Sequence, residues 1–177
     1  MSMKSLFAFA FVLASLLVVP QGVPAQFGGQ PAGAGGPGAE DLLKGSQIPY
    51  KKINDKAFEI EINYEGKTSR FHVYDLVAGP KDKPYKVTQV HWGLGLPNTF
   101  QPSLQFYAKL NDLNNADIYA NITYLVDKQG PYISGDYLFP VTQGTGSDIL
   151  IDYMTRAYKD LQNALREVGP LVQGAAK

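Results

Sequence analysis

The chain has 177 residues, 16 basic against 16 acidic side chains, and no cysteine. Balanced charge leaves no electrostatic footprint for nucleic acid and no polybasic patch for anionic lipid. Without cysteine there is no disulfide, no thiol nucleophile and no lipidated cysteine, so the fold must stand on its own apolar core.

Met1 to Lys4 carries one positive charge, an apolar run follows from Leu6 to Val19, and the next residues end Val23-Pro24-Ala25. This is the layout of a secretory signal peptide, residues 1–25, with cleavage expected after Ala25. The apolar run falls short of the ~20 residues that span a bilayer, so no membrane insertion is expected once the signal is gone; an uncleaved anchor is the alternative. Removal takes away Lys4 and no acid, leaving 15 basic against 16 acidic residues. The destination is periplasmic or extracellular.

Residues 26–38 read QFGGQPAGAGGPG, a Gly, Pro and Ala tract without charge, expected to be a flexible linker. The remainder, 39–177, is about 140 residues, enough for a single domain that buries roughly two thirds of its unfolded surface. Its first segment, PGAEDLLKGS, places Pro37 at a first helical position, acids in the first turn and Gly45 as a stop, which predicts a short helix.

From Ala57 to Tyr64, Phe58, Ile60 and Ile62 alternate with Glu59, Glu61 and Asn63, the pattern of a half-buried strand. A two-residue turn at Glu65-Gly66 would set Ile60 opposite Phe71 and Phe58 opposite Val73, with Glu59 beside His72 and Glu61 beside Arg70 on the other face. A third strand is expected from Tyr85 to Trp92, ended by the breaker-rich Gly93-Leu94-Gly95-Leu96-Pro97.

Gln101 to Asn115 reads two ways. As a strand, Leu104, Phe106, Ala108 and Leu110 alternate. As a helix, Pro102 takes the first position, Phe106, Leu110 and Leu113 share a face, and Asn114-Asn115 supplies a left-handed exit, so the helix accounts for more of the residues. Ile118, Ala120, Ile122, Tyr124 and Val126 then alternate, and Asp127 to Pro131 turns the chain into a strand over 132–141. Ser147 opens a long helix whose stripe is Leu150, Met154, Ala157, Leu161, Ala164 and Val168, closed by Gly169-Pro170. The expected fold is α+β: an antiparallel sheet of about five strands with helices packed on one face, in the order α-β-β-β-α-β-β-α.

That order resembles the type III secretion chaperones of bacteria, and more closely the YbjN-type proteins. The likeness is carried by LLKGSQIPYKKINDKAFEIEINYEGKTSRFHVY, LQFYAKLNDLNN and YANITYLVDKQGPYISGDYLF, and spans about Asp41 to Val168. It implies a curved sheet backed by helices, often a homodimer, and a chaperone-like or regulatory role in binding another polypeptide rather than in chemistry. The chain departs from the type III chaperones in its signal peptide, which sends it out of the cytosol, so no binding residue is carried over.

No Gly-x-Ser-x-Gly, phosphate-cradling glycine loop or His-Glu-x-x-His is present, and no cofactor or metal is expected. His72 and His91 lie on neighbouring strands, so an acid/base or metal pair oriented by Glu59 is conceivable; a surface histidine beside a glutamate is the plainer reading. Asp136, Asp148 and Asp152 are read as structural. If helices cover one face only, His72, Tyr74, Trp92 and Tyr119 would form an aromatic partner-binding patch on the open face, with core packing as the alternative for each. The competing class is a small-ligand binder or hydrolase with a site near Gly93–Pro97. An immunoglobulin-like sandwich requires Leu104 to Leu110 to be a strand.

Overall fold

The computed structural model describes residues 36–64 and 67–174; the signal peptide, most of the linker and the Glu65-Gly66 turn lie outside them. In chain order the elements are α1 (Ala39–Ser46), β1 (Lys51–Asn54), β2 (Ala57–Tyr64), β3 (Lys67–Ala78), β4 (Tyr85–Gly95), α2 (Leu104–Ala116), β5 (Ala120–Asp127), β6 (Gly130–Pro140) and α3 (Ser147–Gly174). All six strands join one antiparallel sheet in the order β1-β2-β3-β4-β6-β5.

The expected register of the first hairpin is the observed one: Phe58 faces Val73, Ile60 faces Phe71, Glu59 faces His72 and Glu61 faces Arg70. A one-residue slip would have turned every apolar side chain to the wrong face. Residues 104–116 are helical, with Ser103 rather than Pro102 at the boundary; its hydroxyl accepts from the Phe106 N–H at 3.2 Å. Phe106, Leu110 and Leu113 are buried against the core, so the helix reading holds and the sandwich is excluded.

Several boundaries differ from expectation. The described residues form six strands, not five: β1, KKIN, is fully exposed and carries no alternation, and it exists because it pairs with the edge of β2. α1 starts at Ala39, its N–H taken by the Asp75 carboxylate at 2.7 Å, and it ends on Gln47 in the left-handed region rather than at Gly45. Asn114 and Asn115 make no left-handed exit, because the Asn114 side chain is engaged by β5. β4 continues through Gly93–Gly95, whose residues pair with Ser134, Ile133 and Tyr132. α3 runs through Gly169-Pro170 to Gly174: Leu171 and Val172 pack on the core, and that burial carries the last turn past the lost proline hydrogen bond.

α3 lays Leu150, Met154, Ala157, Leu161, Ala164 and Val168, all buried, over the sheet. α1 packs on α3 and β3, and α2 packs on α3 and β5. Directly paired residues of antiparallel strands point to one face, so Phe58, Ile60, Phe71, Val73, Val90, Trp92, Ile133, Tyr137 and Ile122 form the floor of that core. Within it the Tyr137 hydroxyl donates to Asp160 of α3, and burial raises both pKa values from their ordinary ones. No described helix is long and apolar enough to cross a membrane.

Candidate functional site

The face of the sheet away from the three helices is crossed by one polar row. Glu59 of β2 stands opposite His72 of β3, His72 opposite His91 of β4, His91 opposite Asp136 of β6, and Asp136 opposite Asn121 of β5. The row follows from alternation: these residues occupy the positions between the apolar ones that floor the core.

Asp136 organises the centre. Its Oδ1 accepts from the Gln89 side-chain amide at 2.6 Å and lies 2.8 Å from His91 Nδ1, while its Oδ2 accepts from the Ser134 hydroxyl at 2.8 Å. A carboxylate only accepts, so in the neutral imidazole the proton sits on Nδ1, and the Gln89 amide must present its NH2. His91 Nε2 and Gln89 Oε1 are thereby left as buried acceptors without a partner among the described residues. Burial works to raise the Asp136 carboxyl, but the hydrogen bonds from His91, Ser134 and Gln89 outweigh it and hold the pKa below the usual carboxylate value.

His72 and His91 are each 7 % exposed, with ring centroids 6.1 Å apart. Tyr74 stacks on His72 with ring centroids 6.0 Å apart and lies tilted 6.3 Å from His91. His72 Nε2 is 3.7 Å from Glu59 Oε2. Burial, with His91 beside it, lowers the His72 pKa, and burial near Asp136 pushes the Tyr74 phenol up to about 12.

Of the four residues expected on the open face, His72 and Tyr74 are there. Trp92 is not: it pairs with Phe71 and Gly135, faces the helices and is fully buried, because residues 88, 90 and 92 share one side of β4 while Gln89 and His91 take the other. Tyr119 also belongs to the helix side. It precedes β5, and its ring lies 6.0 Å from Tyr153 of α3 and 5.0 Å beneath the Arg156 guanidinium. The histidine pair considered from sequence does meet, but its orienting carboxylate is Asp136 for His91, a role that the strand's alternation alone does not signal. Among the described residues, no group of three or more His, Asp or Glu side chains is placed to hold a metal ion.

Both edges of the sheet are guarded. β1 offers four exposed residues, two of them lysines, with a bulge between Lys52 and Asn54. On β5, the Asn114 amide reaches from α2 to bond Ile122 twice, accepting from its N–H at 2.6 Å and donating to its C=O at 2.7 Å. The Ala120 N–H is taken by the Asp117 carbonyl. Outward-facing backbone groups alternate along an edge, which leaves Tyr124 and Val126 as the open rungs. Elsewhere, an apolar groove of about 440 Å³ runs between the chain before β1, β2 and α3, lined by Ile48, Ile60, Ile62, Met154 and Tyr158.

No family model and no curated protein matches the chain. Among solved structures, the fold is similar to that of YbjN from E. coli, described as a candidate transcription regulator, at 10% sequence identity and a TM-score of 0.42, covering 69% of this chain and 82% of that one.

Proposed function

We propose that this chain is an exported, non-enzymatic module of the bacterial cell envelope that binds another polypeptide across the open face of its sheet. The observation that carries the reading is the face itself, which no described helix packs on and which holds two buried acceptors, His91 Nε2 and Gln89 Oε1, oriented by Asp136 and without a partner among the described residues. An unsatisfied buried acceptor is costly and marks a place where a missing group belongs. Export rests on the charged, apolar and small-residue succession of residues 1–25. Edge addition is disfavoured by the Asn114 clip and by the short, lysine-bearing β1. A homodimer belongs to the same reading and would likewise form through a face.

A second reading, a hydrolase, is favoured by the His91–Asp136 pair, which has the orientation of a general base and its carboxylate. Among the described residues, no hydroxyl stands in hydrogen-bond reach of His91 Nε2 as a serine-type nucleophile would.

Photo-crosslinking residues placed at Leu138 on the open face and at Leu165 on α3, both surface-exposed, test the proposal in the native envelope, with N-terminal sequencing of the mature protein as the check on export. Adducts to one protein are expected from Leu138 and not from Leu165. The reverse pattern, or a mature chain that still begins at Met1 in the cytosol, would overturn the reading.

A further inference from the structure

The polar row says more than that something binds. Asp136 fixes the direction of both neighbours, and each is left presenting an acceptor: the imidazole its Nε2 lone pair, the amide its Oε1. Two acceptors ask for a donor. The charge around them asks for a cation, because Asp136 is a largely buried carboxylate whose one ion-pair partner among the described residues is the His91 ring, and Glu59 lies beyond His72 in the same row. Of the cations on this face, Arg70 is engaged with Glu61 at 2.8 Å, and Lys51 stands opposite Glu59 on the exposed edge strand β1, away from His91 on β4. Tyr74 adds an aromatic face against which a cation is stabilised.

We infer that the centre of the open face is a receptor for one cationic side chain of the partner, an ammonium or guanidinium that donates to His91 Nε2 and Gln89 Oε1. The inference rests on the polypeptide-binding reading. The rings of His72 and Tyr74 flank the His91 ring and its Nε2 is buried, so the cation reaches it only as a neighbouring side chain shifts, and the donors it brings satisfy both acceptors. The chemistry is selective: a carboxylate would meet Asp136 and Glu59 as like charges, and an apolar side chain would leave both acceptors as they are.

The test uses the mature protein at pH 8, above the ordinary histidine range, with n-butylammonium and methylguanidinium as probes and acetate and n-butane-1-sulfonate as controls. Saturable movement of the His91 ring-nitrogen and Gln89 side-chain amide resonances is expected with the two cations and not with the anions. Gln89→Leu should weaken the cation affinity about tenfold, in line with the loss of one charge-assisted hydrogen bond, while Thr123→Val, elsewhere on the same face, should leave it unchanged. Probes that leave both resonances still while Leu138 forms its adduct would refute the cation receptor and spare the polypeptide reading. Probes that saturate the site in a protein with no Leu138 adduct would sustain the receptor and sink the polypeptide reading. Tight uptake of Zn2+ alone, with no response to either organic cation, would also overturn the inference.

Discussion

At the scale of single residues, two positions show how closely the faces are specified. Gly135 lies on the core side of β6 directly opposite Trp92, and a Cβ there would sit 2.1 Å from the indole ring. Gly135→Ala should therefore cost about 1–3 kcal/mol, the range for overpacking a filled core. Gly144→Ala, where an added Cβ meets nothing within 4 Å, should stay within about 0.5 kcal/mol; urea unfolding midpoints compare the two. His72 gives a pH-dependent expectation. Its folded pKa lies below the ordinary imidazole value because burial, and then His91, disfavour the charged ring. The unfolded chain therefore takes up the proton first as pH falls, and stability that is complete above about 6.5 declines through the window down to the folded value. Unfolding midpoints should drop between pH 8 and pH 5.5, and His72→Gln should flatten that slope; a slope that is unchanged in the variant would contradict the assignment. None of this was readable for Trp92 from its own residue type, since a large ring on a strand suits either face. The neighbouring pattern was the better guide: Val90 belongs with Val73, so Trp92 belongs with Phe71.

At the scale of elements, the strongest local patterns were the most legible. β2 carries strict alternation and α3 a continuous apolar stripe, and both fold as that periodicity requires. β1 was silent, because a four-residue exposed strand has no pattern of its own and is created by its neighbour's unpaired edge. The end of α3 was misjudged because proline's local cost is outweighed by core contacts distant in sequence. Asn114 looked like a helix terminator and is instead a bridge between elements, a choice made by the position of β5 rather than by propensity. Asn114→Ala should strip Ile122 of two bonds while its side chain remains buried, at a cost of about 1–3 kcal/mol. It should also free the edge, so that light scattering detects concentration-dependent association absent from the parent protein.

At the scale of the whole molecule, the α+β class and one-sided helix layer were legible once residues 104–116 were taken as helix, because two hairpins joined by a helix form one backed sheet. The candidate site was only half legible. His72, Tyr74 and the Glu59 pairing follow from the first hairpin, but Asp136 and Gln89 come together only through the β4–β6 neighbourhood, which skips over β5 in sequence order. Local pattern carries no information on which distant strand inserts between two others.

The double bond from Asn114 to Ile122 has a mechanical consequence as well. An amide that matches a peptide group at both ends admits a single setting of α2: a roll of one residue, about 100° around the helix, or a slide of one 1.5 Å step would break both contacts together. α2 and β5 should thus travel as one stiff plate, so that any strain applied at the sheet's outer margin is delivered to the helix in full rather than dissipated at their seam.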